Sequence, residues 1–340
     1  AKEVRYVRDK EVYVKIPRAT AIKNGWKVIR TRWIDINKGD LDNPNYRSRF
    51  VGKEFNTGDD PALFAATPPL EALKLLMAYA ASDKNVHIML SDVKRAYFNA
   101  KAKRELWADL PEAHEDYFPG AVGRLALALY GARDAAMLWQ ECLAEHLISV
   151  GFKRGISNPC IYFHDSRQLR CLVHGDDYAT AGSHADLVWR QSELENRFGM
   201  KSTMVGHSSR KGVVREGKIL NRIVRTTTHG WEYECDPRHI EVLVEQMGLE
   251  SASTVLTPGV EMSSAELESD MKTPLDSDRA TAFRRLTARA NYIACDRAES
   301  HYAIKEICRE MSAPTESSWT ALKRLVRFLK SRPRAVLDFN

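Results

Sequence analysis

Short apolar runs from Val12 to Phe55 have the strand pattern and apolar positions from Pro68 to Ser82 have helical spacing, which predicts a β-rich opening followed by mixed helices and strands. The runs VYVKI, GWKVIRTRWIDI and RFVGKEF predict strands, separated by NKGDLDNPN, whose Gly, Asp, Asn and Pro mark a loop. From Pro68 to Ser82, Leu70, Leu73, Leu76 and Met77 share one helical face. HIMLSDV reads as a buried strand. VGRLALALYGARDAAMLWQECLAEHLISVGF reads as a turn and a long helix ending at Gly151. In CIYFHDSRQLRCLVHGDDYATAG the pattern predicts two strands joined near Asp165 to Gln168, the second carrying Asp176 and Asp177.

After Gly182 an amphipathic helix is predicted on Leu187, Leu194 and Phe198, then a β segment turning at His229 and Gly230. Asp236 and Pro237 open a further helix with Ile240, Leu243, Val244 and Met247 inward, closed by Gly248. Residues 251–278 carry Ser, Thr, Glu, Asp and Pro without a period and predict a long mobile connection, the best boundary in the chain. Three helices follow. The last places Trp319, Leu322, Val326 and Leu329 on one face, and its cations Lys323, Arg324, Arg327 and Lys330 are uninterrupted by any acid. Such a helix suits a nucleic-acid backbone; a plain solvated surface helix is the competing reading.

With 340 residues, 44% hydrophobic and 28% charged, the chain has the composition of a globular protein and not of a disordered one. Its 51 Lys and Arg against 45 Asp and Glu leave +6, an excess that admits a polyanionic partner. The six cysteines form no CxxC pair and no zinc-type spacing, which suggests free thiols in a reducing compartment. Neither a long apolar run nor a signal-peptide pattern is present, so a soluble intracellular protein is expected. The missing initiator Met suggests a piece of a longer chain.

Candidate chemistry lies in three carboxylates. Asp92 closes one apolar run, and Asp176 and Asp177 interrupt another. Carboxylates at strand ends are costly to desolvate and repel one another, so cations are the expected neutralisers. Mg²⁺ suits the pattern, because it takes few protein carboxylates and completes its octahedron with water and phosphate oxygens; Mn²⁺ is an alternative. Two such ions about 3.5–4 Å apart serve in-line phosphoryl displacement, which points to nucleotidyl transfer. Successive strand residues face opposite ways, so Asp176 and Asp177 are not equivalent. If the two apolar strands are neighbours, Asp92 and Asp176 share the ions and Asp177 assists from the side. Taken alone, Gly-Asp-Asp also fits an ordinary exposed turn.

Read in order, RSRFVGKEFN, LFAATPPLEALKLLMAYAAS, SDVKRAYFNAKAKRELWADLPE, LALALYGARDAAMLWQECL, SNPCIYFHDSRQLRCLVHGDDYATAG and the helical stretch from FRRLTARANYIACDRAES to LKSRP resemble the reverse transcriptase segment of copia-type long-terminal-repeat retrotransposon polyproteins, from about Gly25 to Pro333. The resemblance implies that Asp92, Asp176 and Asp177 are the metal-binding carboxylates. It implies that Tyr97 packs under the incoming sugar and disfavours a 2′-hydroxyl, and that Arg47, Arg49 and Lys53 hold the triphosphate of a dNTP. Two departures stand out: His174-Gly175 replaces the usual Tyr-Val before the Asp pair, and Asp134 stands where the family commonly has Gln near the nucleotide.

The implied fold class is α+β, a right-hand polymerase with fingers over residues 1–86, a palm with an antiparallel sheet over 87–205, and a mostly helical thumb and connection region over 206–340. The implied partners are an RNA template, a DNA or RNA primer, and other Pol segments such as integrase and ribonuclease H. The implied location is the cytoplasm, in a virus-like particle, or the nucleus. Two other functions compete: a catalytically degenerate module that binds RNA or RNA–DNA hybrid, and a palm-type cyclase, which the basic last helix disfavours.

Overall fold

The computed structural model describes the chain except residues 1, 38–42, 56–57, 59–62, 111–119 and 261–272, and divides it into two compact units, 1–214 and 215–340. In the first unit the elements are α1 (Lys2–Asp9), β1 (Tyr13–Pro17), α2 (Arg18–Lys23), β2 (Val28–Ile29), β3 (Thr31–Asn37), β4 (Tyr46–Gly52), α3 (Leu70–Ala81), β5 (Val86–Val93), β6 (Trp107–Asp109), β7 (Ala121–Leu125), α4 (Ala135–Ser149), β8 (Lys153–Arg154), β9 (Ile161–His164), β10 (Leu169–His174), β11 (Asp177–Ser183), α5 (His184–Glu195), β12 (Met200–Val205) and β13 (Val213–Val214).

The site is built on a seven-stranded sheet of order β13-β12-β5-β11-β10-β9-β8, antiparallel except for the β12/β13 pair. β5 lies inside it, and every one of its residues is buried except Asp92, which is why its sequence is a nearly continuous apolar run. Met89, Val93, Cys171, Val173 and Tyr178 on one face pack with Trp139, Leu143 and Leu147 of α4 and Leu187 and Leu194 of α5. Alternation sends Asp92 to the opposite face. The helix α5 begins where Ser183 accepts a hydrogen bond from the Asp186 amide at 3.2 Å, an ordinary N-cap.

Beside this sheet stand a four-stranded sheet of order β1-β7-β6-β2 and the separate hairpin β3-β4. The end of β4 runs against the Tyr130-Gly131 turn: the Gly52 amide donates to the Tyr130 carbonyl at 2.7 Å. Gly131 has φ +83°, and a Cβ there would fall 2.1 Å from the Gly52 oxygen, so only glycine fits.

In the second unit, β14 (Glu216–Ile219), β15 (Arg222–Thr226), β16 (Trp231–Cys235) and the C-terminal β17 (Val336–Phe339) form an antiparallel sheet in that order, with helices α6 (Arg238–Gln246), α7 (Ser277–Ile293), α8 (His301–Arg309) and α9 (Glu316–Ser331) around one apolar core. Asp236 accepts from the Arg238 amide at the start of α6, and Asp276 caps α7 through the Asp278 and Arg279 amides. The connection expected over 251–278 lies inside this unit and is not its border. Its residues 261–272 lie outside the described ones, whereas Thr273 and Leu275 bond to Glu316 and Pro314. The expected α+β class is the one observed. Among the described residues no helix is long and apolar enough to cross a membrane.

Candidate active site

β11, and not β10, is the neighbour of β5, and it sets Asp177 directly opposite Asp92. The Val93 amide donates to the Asp176 carbonyl at 3.0 Å. That bond makes 92/177 a non-hydrogen-bonded antiparallel pair, in which side chains share a face and stand closest, with Cα atoms about 4.5 Å apart. The register sets Asp177, rather than Asp176, across from Asp92, because the residue entering the strand meets β5 and the one in the turn does not. On its other flank Asp92 faces Lys201 of β12. One cation and two carboxylates thus lie side by side across three strands.

Asp176 occupies the two-residue turn closed by the His174/Asp177 pair. Gly175 takes the first central position with φ +64°, the place where a type II′ hairpin turn calls for glycine. The departure from Tyr-Val at 174–175 thus suits the turn at no backbone strain. The Trp139 indole N–H donates to the Gly175 carbonyl at 2.9 Å and fixes the turn to α4.

Tyr97 sits in a 3₁₀ turn, Ala96–Asn99, just after β5. Its ring lies 4.4 Å from that of Tyr130, and the Arg49 guanidinium lies 5.6 Å from the Tyr130 centroid. Burial raises the Tyr97 phenol above its ordinary pKa; the Asp176 carboxylate adds to the rise and Arg49 opposes it. Tyr130 is raised further, with burial, Asp176 and Arg49 acting in the same senses. Arg49, Tyr130 and Tyr97 thus stand in succession from the basic hairpin, and the Asp176 charge reaches both phenols. Arg47 and Arg49 are exposed two residues apart on β4, and Lys53 follows that strand, half-buried. Tyr130, Trp139 and Lys201 were not singled out from sequence, although Tyr130 and Trp139 are the aromatic marks of the LYGARDAAMLW block.

Asp134 has a different occupation from the expected nucleotide contact. It is 5% exposed, and both its oxygens accept from Arg104, Nε and Nη2 each at 2.8 Å. Arg104 also grips Glu54 in bidentate fashion, at 3.1 and 2.9 Å, and Glu54 takes the Arg133 amide at 2.9 Å. A buried carboxylate needs such a partner, and Asp134 is neutralised inside a clamp between β4 and the start of α4.

The basic face of α9 is likewise occupied. Arg324 donates to Thr257, Arg327 to the Ser253 carbonyl and hydroxyl, and Lys330 to the carbonyls of Leu249, Glu250 and Ala252 at 3.1, 2.5 and 2.9 Å. Main-chain carbonyls of the turn beyond α6 serve as acceptors for the cation, so these side chains fasten the 249–257 segment where a nucleic-acid face was expected. Lys323 is exposed. Lys330→Met is expected to lower the unfolding free energy by about 1–2 kcal/mol and to leave RNA affinity unchanged, as read by thermal unfolding and filter binding.

Among the described residues no three His, Cys, Asp or Glu side chains gather as a metal cage. The Asp92/Asp177 pair with Asp176 at its edge still fits Mg²⁺, an ion content with one or two carboxylates.

The sequence profile of the family described as "Reverse transcriptase (RNA-dependent DNA polymerase)" matches residues 12–213, more than half of the chain. The retrovirus-related Pol polyprotein from transposon RE2 of Arabidopsis thaliana is 25% identical over 320 residues, covering 90% of this chain and 20% of that protein. Its counterpart from transposon TNT 1-94 of Nicotiana tabacum is 22% identical over 334 residues, 94% of this chain and 24% of its own length. The chain thus spans about a fifth to a quarter of these curated relatives. A solved foamy viral protease–reverse transcriptase in complex with double-stranded DNA overlaps 90% of this chain and 45% of its own at 9% identity and a TM-score of 0.41. The ordered motif blocks read from the sequence and the match across the carboxylate-bearing unit agree, and the chain belongs to the reverse transcriptase (RNA-dependent DNA polymerase) family.

Proposed function

We propose that this chain is the catalytic part of an RNA-directed DNA polymerase that extends a DNA or RNA primer on an RNA template with dNTPs, within a longer intracellular Pol polyprotein that also carries integrase and ribonuclease H. The observation that carries the reading is the close cross-strand Asp92/Asp177 pair, with Asp176 beside it and the row Tyr97, Tyr130, Arg49 leading to a basic hairpin. Asp92, Asp177 and Asp176 would hold Mg²⁺, or Mn²⁺, in this reading. Bound there, the ions supply charge neutralisation for the attacking and leaving oxygens of an in-line displacement. Tyr97 lies under the sugar and crowds a 2′-hydroxyl, while Arg49, with Arg47 and Lys53, steadies the triphosphate. Trp139 keeps the turn from shifting as charge changes beside it.

Primer extension on a homopolymer RNA template tests this. Incorporation in Mg²⁺ or Mn²⁺, dependent on primer, is the expected result. Salt-dependent RNA binding without incorporation in either metal would overturn the polymerase in favour of a binding module, and a product formed from nucleoside triphosphate alone would favour a cyclase.

A further inference from the structure

Arg190, on α5, is 1% exposed. A guanidinium keeps its charge in any protein interior, so burying it requires compensation. Among the described residues its hydrogen-bond partners are all neutral: Nη1 donates to Ser91 Oγ at 3.0 Å and Nη2 lies 3.9 Å from Cys171 Sγ. The guanidinium also stands 5.4 Å from the Tyr178 ring centroid, and Nε has no hydrogen-bond partner. Among the described residues the buried carboxylates of this unit belong to other arginines, Glu3 to Arg95, and Glu54 and Asp134 to Arg104.

Two of the three strand residues that Arg190 touches, Ser91 and Tyr178, are themselves a register pair. That pair is the next rung after Asp92/Asp177, turned to the other face of the sheet. Ser91 Oγ also meets Ser202 Oγ of β12 at 3.0 Å, so the contact reaches both strands that flank the carboxylate row.

We propose that Arg190 is a positioning residue whose buried charge offsets that of Asp92 and Asp177 from behind the sheet, while its hydrogen bond to Ser91, which meets Ser202, ties β5 to β12. This rests on the reading of Asp92, Asp177 and Asp176 as the metal-holding carboxylates. A structural anchor alone would affect stability; a counter-charge also changes how strongly the pair attracts a cation.

Mn²⁺ titration followed by electron paramagnetic resonance, without primer or nucleotide, separates the two. Arg190→Met and Arg190→Gln are expected to bind Mn²⁺ at least about tenfold more tightly than the wild type, because Coulomb repulsion between a fixed cation and the divalent ion is gone. Arg190→Lys, which keeps the charge, should stay near the wild type, and Asp177→Asn should abolish the site. The Gln variant retains a donor for Ser91 and covers the case in which the Met variant does not fold. Equal or weaker Mn²⁺ binding by a folded neutral variant overturns the inference and leaves the carboxylate reading standing. If the wild type has no Mn²⁺ site sensitive to Asp177→Asn, both fall; Mn²⁺ binding as expected without primer extension removes the polymerase alone.

Discussion

Asp177→Asn is expected to lower primer extension by about 10³-fold or more while slightly stabilising the metal-free protein. The two effects share a cause. Asp177 faces Asp92 in a non-hydrogen-bonded pair, and like charges directly opposite one another on a sheet destabilise it by roughly 0.2–1 kcal/mol. Asparagine keeps the shape and removes the repulsion, but it also removes an anionic oxygen that a divalent ion needs. Asp92→Asn should behave in the same way. Steady-state extension assays and thermal unfolding in a chelator give the two readouts. Extension within tenfold of the wild type, or unfolding at a lower temperature in the chelator, would sink the assignment of the pair.

Arg104→Met is expected to cost about 3 kcal/mol at neutral pH, the lower end of what removing one member of a buried charge cluster costs, because the Arg104 side chain is itself 38% exposed. The two carboxylates left behind are not: the Glu54 side chain is 2% exposed and that of Asp134 is 7%. Burial pulls the Glu54 pKa up, and Arg104, the Arg133 amide and Lys27 together pull it further down, below the ordinary carboxylate value. A depressed carboxylate pKa contributes stability that is complete above the unfolded-state value and is lost as pH falls through the folded one. Without Arg104 the burial effect prevails and the Glu54 pKa rises. The deficit of the variant should therefore be largest near pH 7 and shrink toward about pH 4.5, where a carboxyl can protonate. Urea unfolding at the two values measures it; a deficit under about 1 kcal/mol, or one independent of pH, would contradict the clamp.

Local pattern carried much of the fold. β5 was legible because a strand covered on both faces is apolar almost throughout, and α3, α4 and α6 because their periodicity and end residues agree. The carboxylate pairing was not legible. Gly-Asp-Asp reads equally as strand or turn until the position of the hairpin closure is known, and moving that closure by one residue exchanges Asp176 for Asp177 opposite Asp92. Charges misled for a related reason. A sequence shows that Asp134, Arg327 and Lys330 are charged, but their partners lie 30 to 81 residues away. Nothing local distinguishes a cation waiting for phosphate from one already coordinated by carbonyls. Arg190 escaped notice because an arginine in an amphipathic helix is ordinarily a solvent-facing residue.

The helix α4 joins the two halves of the site at fixed stations. Asp134, just before its first turn, is bound through Arg104 to Glu54 beyond the basic hairpin, and Trp139, five residues on, holds the carboxylate turn. About 7.5 Å of helical rise separates them. The spacing between the end that would receive phosphates and the end that would receive metal is thus set by the pitch of a backbone helix and not by the fit of side chains. It acts as a ruler, whose graduation an insertion of one residue would change and most surface substitutions would leave untouched.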